Sequence, residues 1–493
     1  MPVVLAIDAG TTGVRTVAID QHGRSVGWSY REFPQYFPQP GWVEHDADEI
    51  WVAVQATLAE VTAALDETPV AIGITNQRET VVAWSRSTSE PLQRALVWQD
   101  RRTADRCAAL EADGLLPTVR ATTGLVLDPY FSGSKLEWLF STGGLTAGPD
   151  VAVGTVDSWI VWKLTGGAVH ATDATNASRT LLYDITRLEW SDELCSVFGV
   201  PVSVLPEVRT SSGDYGVTSA DAACGAGIPI AGVAGDQHAA LFGQVAFAPG
   251  DAKNTYGTGS FVLMNVGDTC PAPVEGLLTT IAWTLDGPGG VQPTYALEGA
   301  IFVTGAAVQW LRDGLGIIDK ASDLEPLARQ CDDTGDVFLV PAFAGLGSPW
   351  WDPYARGTLV GLTRGTGRPE IARAVIEAMV HQTRDVVDAM AEATGTHVQS
   401  LRVDGGAAVM DLLLQLQADQ LGVPVRRPKM GETTALGAAY LAGLACGVWG
   451  SLDEIATHWE LDVEVTPTGD RAAADAHHAR WREAVARSRD WAR

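Results

Sequence analysis

Ala6-Ile-Asp-Ala-Gly-Thr-Thr-Gly-Val-Arg15-Thr-Val-Ala-Ile-Asp20 decides how the rest of this chain is read. Apolar runs Val3 to Ile7 and Val14 to Ile19 flank a turn of Asp8, Ala9, Gly10, Thr11, Thr12 and Gly13. β-Branched flanks around a Gly/Thr turn predict a strand–turn–strand hairpin. Such a turn can aim several N–H groups and two hydroxyls at one anion, with Arg15 adding a cation. Asp8, at the strand end, is placed to hold a metal ion indirectly beside phosphate oxygens. An ordinary polar hairpin explains this stretch equally well when it is taken alone.

The same grammar returns at Lys253-Asn-Thr-Tyr-Gly-Thr-Gly-Ser260-Phe-Val-Leu-Met-Asn265. Two such hairpins about half a chain apart predict a duplicated two-domain kinase with nucleotide between its halves. Neither hairpin is a P-loop or a dinucleotide loop, because the Gly/Lys spacings those loops need are missing.

A length of 493 residues asks for two or three domains. An apolar fraction of 46% and a charged fraction of 19% are globular values. A net charge of −26 excludes a broad nucleic-acid surface but says nothing against a local phosphate site. The six scattered cysteines contain no C-x-x-C pair and fit reduced thiols in a cytoplasm. No signal peptide is evident. The uncharged stretch from Thr433 to Leu452 carries Gly437, Gly443, Gly447 and Gly450, so a close-packed buried helix explains it better than a membrane span.

Along the chain, Asp46 or Asp48 can cap a helix with the stripe Ile50, Val54, Leu58, Val61 and Leu65. Strands are expected at Val70 to Thr75, Ala95 to Trp98, Val151 to Val156, Thr180 to Tyr183 and Ile228 to Ala234. Polar clusters follow several of them, including Arg78-Glu79 and Gly235-Asp236-Gln237-His238. Strand ends are where open α/β sheets place ligand contacts. Asp236 reads either as a general base or as a helix cap. His45 and His238 read as packing residues, His238 alternatively as a supporting neighbour of the site. Ala246 to Asp251 is the expected boundary between halves 1–250 and 251–493. A long helix is expected from Glu370 to Met390, and Asp404-Gly405-Gly406 opens a further strand–turn–helix unit suited to a flat ring. The last helix is expected to carry Arg480, Arg482, Arg487 and Arg489, with Trp481, Val485 and Ser488 on one side, and to dock on the acidic body.

Taken together, the motifs resemble the FGGY carbohydrate kinases over nearly the whole chain. The diagnostic pieces are Pro-Gly-Trp-Val-Glu-His45, Gly-Ile-Thr-Asn-Gln-Arg-Glu-Thr80, Asp-Pro-Tyr-Phe-Ser-Gly133, Thr-Asn-Ala-Ser-Arg-Thr180, Ala-Gly-Asp-Gln237, Lys-Asn-Thr-Tyr-Gly-Thr-Gly259 and Trp-Asp-Pro-Tyr-Ala-Arg-Gly357. The likeness is strongest to the members that phosphorylate glycerol. It implies an α/β fold of two ribonuclease-H-like domains of the actin and hexokinase kind, with the active site in the cleft between them. The first half, 1–250, would bind polyol; the second, 251–493, would bind adenosine.

The resemblance also implies roles at matching positions. Arg78, Glu79, Tyr130, Asp236 and Gln237 match glycerol contacts, Trp98 and Phe261 match aromatic walls, and Asp236 matches the catalytic base. Thr11, Thr12, Arg15, Thr258, Gly305, Gln309 and Gly406 match ATP contacts, and Asp8 matches the Mg2+-associated carboxylate. A cytoplasmic homo-oligomer, dimer or tetramer, is implied, with no membrane span and no nucleic-acid partner. The alternatives are a kinase for another small polyol or ketose (dihydroxyacetone, erythritol or a pentulose) and a non-catalytic actin-like nucleotide switch. Ala9, Gly13, Val14, His238 and Met410 depart from the family pattern, and all but His238 lie where nucleotide geometry, not polyol recognition, is at stake.

Overall fold

The computed structural model describes residues 2–493. Its first sheet orders the strands Ile230–Gly235, Ala71–Asn76, Val3–Ala9, Gly13–Asp20 and Ser25–Glu32. Val3–Ala9 pairs antiparallel with Gly13–Asp20, which pairs antiparallel with Ser25–Glu32. On its other side Val3–Ala9 runs parallel to Ala71–Asn76, which runs parallel to Ile230–Gly235.

A second sheet repeats this plan. Ala252–Tyr256 pairs antiparallel with Ser260–Gly267, which pairs antiparallel with Gly290–Ile301. Parallel strands Leu401–Asp404 and Val425–Pro428 complete the other side. Leu278–Gly287 and Leu461–Val465 extend the two edges. The two hairpins therefore occupy equivalent central places, as a duplicated ribonuclease-H-like fold requires. A separate four-stranded sheet, containing Val81–Ser85 and Val151–Thr155, is built from segments inserted within the first half.

Local chemistry explains the surrounding helices. Asp46 caps Ala47–Ala63 by accepting from the Asp48 N–H, and Ile50, Val54, Leu58 and Val61 face inward; Leu65 lies past the helix end. The long helix covers Arg368–Thr394, wider than its apolar stripe suggested, because Gly367 N–H bonds to Glu370 at its start and Gly395 closes its end in a left-handed turn. Two expected strands are shorter. Ala95–Leu96 stops before a turn in which Asp100 N–H bonds to Val97. Thr180 to Tyr183 is mostly a turn: Thr180 N–H bonds back to Ala177, Leu181 sits at φ 64°, and only Tyr183–Asp184 is extended.

The halves meet through two helices, Asp236–Gly243 and Thr433–Ala445, each following the last parallel strand of its own five-strand unit. Thr433–Ala445 also packs across the first sheet, in one core with Val4, Ala6, Val17 and Phe242. Its small residues permit this approach. A Cβ added at Gly437 would sit 1.8 Å from the Ala239 carbonyl oxygen, and one at Gly243 would sit 2.0 Å from that of Thr433. Gly73 and Gly232 are equally closed by Ala438 and Ala442. Among the described residues no helix is long and apolar enough to cross a membrane.

Alanine ordinarily stabilises a helix interior relative to glycine. Gly437→Ala is expected to do the reverse, lowering stability by on the order of 1–3 kcal/mol in urea unfolding because both contacts are backbone. Gly431→Ala, which meets nothing within 4 Å, serves as the control and is expected to leave the midpoint in place.

Candidate active site

Arg78 stands just past the strand Ala71–Asn76 of the first half, and Glu298 lies within Gly290–Ile301 of the second. They form a forked pair across the halves: Nη1 donates to Oε2 at 2.5 Å and Nη2 to Oε1 at 3.1 Å. Arg179 joins from the turn after Ala174–Ala177, donating to Glu298 at 2.9 Å and to Glu79 at 2.7 Å. Two guanidinium and two carboxylate groups thus balance one another away from water. Burial raises the Glu298 carboxyl, but Arg179 and Arg78 overcome that effect and hold it down at about 2. Glu79 is kept in a left-handed backbone conformation, φ 62°, with its carbonyl oxygen bonded by Ser132. Such conformations are costly for residues other than glycine and cluster at sites where position matters.

Asp236 is the acid left open beside this network. Its Oδ1 lies 3.2 Å from Arg78 Nε, and its side chain is 31% exposed, against 1% for Arg78 and 0% for Glu298. Gly235 is the helix cap, so Asp236 occupies the first helical turn and its own carboxylate receives the Gln237 N–H. Burial raises its pKa, while Arg78, the Gln237 N–H and Lys253 pull the other way. Lys253 donates to Gln237 Oε1 at 2.5 Å and to Thr255 at 2.8 Å, and burial lowers its ammonium to about 8.

Aromatic groups flank these polar ones. The Arg78 guanidinium lies 5.7 Å from the Phe261 ring centre and donates to the Tyr130 hydroxyl at 3.3 Å. Trp98 meets Tyr130 edge to face at 5.7 Å. Its indole N–H also reaches Thr11 Oγ1 at 3.0 Å, linking the aromatic wall to the first hairpin turn. His238 is fully buried, bonded to Thr280 at 3.0 Å and kept neutral by burial, which fits a supporting neighbour.

The first hairpin turn is closed by Gly10 N–H on Gly13 at 3.0 Å. Gly13 leaves no room for a side chain, since an added Cβ would meet Tyr30 and the Arg31 carbonyl. Arg15 pairs with Glu432 and faces Tyr30 at 5.5 Å, while Thr12 lies 3.4 Å from the Tyr30 hydroxyl. Asp8 is raised to about 7, first by burial and then by Asp236 and Glu432, with Arg15 opposing. A buried carboxylate in the field of two others suits the attraction of a divalent cation with oxygen ligands. In the second half, Gly305 N–H bonds to Gly257, and Thr304 and Ala306 N–H bond to Thr258. Gly405 presses against Tyr256 beside the same turn, bringing Gly406 alongside, and Gln309 ends the short helix that begins at Gly305. Met410 turns into the apolar core of the second half.

The sequence-predicted residues therefore stand in three groups: one around Arg78, the first hairpin turn, which touches it through Thr11, and a turn-and-glycine group around Thr258. Glu298, Arg179 and Lys253 were missed as site residues. A charged Glu298 inside Tyr295-Ala-Leu-Glu-Gly-Ala-Ile301, and Arg179 beside it in the network, carried the signal: charges in otherwise small or apolar runs need partners.

A duplicated ribonuclease-H-like fold with an acid–guanidinium centre between its halves defines a two-domain sugar-kinase class of protein. Comparison with known proteins makes this specific. The FGGY family of carbohydrate kinases matches twice, its N-terminal domain over residues 3–243 and its C-terminal domain over residues 252–446. The chain belongs to the FGGY family of carbohydrate kinases. It is 54% identical over 497 residues to a glycerol kinase of Symbiobacterium thermophilum, covering 99% of both chains. It is 52% identical to a glycerol kinase of Carboxydothermus hydrogenoformans, over 99% of this chain and 98% of that one. The solved Plasmodium falciparum glycerol kinase with ADP superposes with a TM-score of 0.92 at 34% identity, covering 99% of this chain and 98% of that one. A gluconate kinase of Lactobacillus acidophilus shares the fold, with a TM-score of 0.87 at 22% identity over 99% of this chain and 96% of that one.

The ion network sets a pH test. A carboxyl held below its ordinary 4.5 contributes stability above that pH and loses it as pH falls toward about 2. The stability difference between wild type and Glu298→Gln is expected to be on the order of 3 kcal/mol near neutrality. In denaturant titrations it should shrink steadily from pH 4.5 downward.

Proposed function

We propose that the chain transfers the γ-phosphoryl group of ATP to glycerol, giving sn-glycerol 3-phosphate and ADP. The observation that carries this reading is the open Asp236 carboxylate, set against the Arg78 guanidinium between Phe261 and the Trp98–Tyr130 wall. Full-length likeness to glycerol kinases supports it. Acceptor binding falls to the first half, 1–250, and adenosine binding to the second, 251–493.

A triol offers hydroxyls on a short carbon chain. Glu79 and Asp236 accept from its hydroxyls, Arg78 donates, and the aromatic faces cover its C–H edges. Gln237, steered by Lys253, completes the acceptor group. Asp236 then takes the proton of the terminal hydroxyl as that oxygen bonds to the γ-phosphorus and the bond to the ADP oxygen breaks. Thr11, Thr12, Arg15, Thr258, Gly305, Gln309 and Gly406 hold and orient the nucleotide. Asp8 is the carboxylate that would hold Mg2+ beside the phosphates; when bound, the ion neutralises charge that spreads over the transferring group. Trp98, bonded to Thr11, keeps the acceptor wall and the phosphate turn in one register. A cytoplasmic homo-oligomer, dimer or tetramer, belongs to this reading, with six free cysteines consistent with a reducing compartment.

Coupled-assay ADP release with Mg-ATP across glycerol, dihydroxyacetone, erythritol, xylulose and ribulose tests the assignment. Glycerol is expected to give the highest kcat/KM by a wide margin; a different preferred acceptor overturns the three-carbon pocket, and silence with all of them favours a nucleotide switch. Asp236→Asn is expected to lower kcat by at least about 100-fold while ATP binding and folding persist. Because the Asp236 pKa is raised and its base form is required, kcat/KM should fall on the acid side earlier than an ordinary carboxylate would dictate.

A further inference from the structure

Away from this site, the long helix Arg368–Thr394 and the terminal helix Arg471–Ser488 pack together around an unusual cluster. Glu377 and His381 stand four residues apart on one face of the long helix. His477 reaches them from the terminal helix, its Nε2 3.7 Å from Glu377 Oε2 and its ring 4.9 Å from that of His381. One ligand atom from each of the three residues falls within 4.8 Å of the other two.

The polar atoms here are unsatisfied. His381 is 1% exposed and neither ring nitrogen has a hydrogen-bond partner. Glu377 is 7% exposed, and its Oε2 is likewise unpartnered although Arg373 holds Oε1 at 2.8 Å. Leaving such groups unpaired costs about 1–3 kcal/mol each. Neighbouring rings nevertheless hold them beside one another. Trp481 stacks on His381 at 5.2 Å, and Phe338 lies 5.0 Å from His477. His478 is engaged elsewhere, with Asp385 at 2.8 Å, so it does not compete. His477 keeps 34% of its side chain exposed and provides a way in from solvent.

We propose that Glu377, His381 and His477 form a site for a zinc-type divalent transition ion that clasps the terminal helix to the long helix. Two imidazoles and one carboxylate suit Zn2+, with water in the fourth position, whereas Mg2+ prefers oxygen ligands. Tetrahedral zinc at its usual bond lengths sets ligand atoms about 3.3 Å apart, so the side chains close by small rotations. Arg373 orients the ligating carboxylate from outside, as neighbouring hydrogen bonds do at metal sites. The site is separate from the phosphoryl-transfer centre and does not depend on the acceptor assignment.

The test uses the full chain stripped with a chelator and titrated with Zn2+ against a chromophoric competitor in excess Mg2+. One tight equivalent per chain is expected, with a rise in Tm and, for Co2+, the visible bands of a four-coordinate ion. His477→Ala and His381→Gln should each weaken that equivalent by more than about 10-fold, since even loss of a partner behind a ligand costs about 10–100-fold in affinity. The surface pair His22 and His458, 6.2 Å apart, supplies the control: His458→Ala should bind as wild type does. No tight equivalent, an equivalent that survives His477→Ala, or one lost in His458→Ala overturns the proposal.

Discussion

The forked pair between Arg78 and Glu298 is the constraint from which the rest of the arrangement follows. Its members come from opposite halves of a duplicated chain, 220 residues apart, and neither reaches water. Taking such charges from water costs several kcal/mol per ion, and their attraction offsets that cost only when geometry is good and remaining donors are paired. Arg179, Glu79 and Tyr130 supply most of that pairing, with Arg179 Nη1 left without a partner. The pair therefore acts less as glue than as a register mark. It fixes where the second sheet stands against the first, and with it the place of the open Asp236.

Close packing enforces the same register by different means. The helices Asp236–Gly243 and Thr433–Ala445 approach until backbone meets backbone at Gly437 and Gly243. Asp236 begins one of these helices, so the seam between halves and the acid of the site belong to one rigid element. Trp98 extends the coupling to the phosphate turn through Thr11. On the roles proposed above, acceptor wall, base and nucleotide turn are thus tied together before either substrate arrives, which is what an in-line transfer between two bound molecules needs.

Much of this was legible in the sequence, and the reason is locality. Each hairpin carries its own turn chemistry and its own β-branched flanks, so the duplication could be read from two short stretches. The small residues from Thr433 to Ala445 announced a buried helix. What escaped depends on distant partners. Glu298 looks misplaced in an apolar strand until Arg78 and Arg179 are brought to it by folding. Thr180 to Tyr183 has the composition of a strand but turns, because Thr180 bonds back to Ala177 while Arg179 is drawn inward. Met410 fills the core. The unpaired His381 is silent in sequence, since only the docking of the terminal helix brings His477 beside it.

The most direct test of the central constraint is a double-mutant cycle on Arg78→Met and Glu298→Gln, read by glycerol binding and by unfolding free energy. A register mark shared by both residues predicts strong non-additivity, with a coupling on the order of 2 kcal/mol in both readouts. Effects that add to within about 0.5 kcal/mol would mean that the two residues act independently, and the account of how the halves are aligned would be wrong.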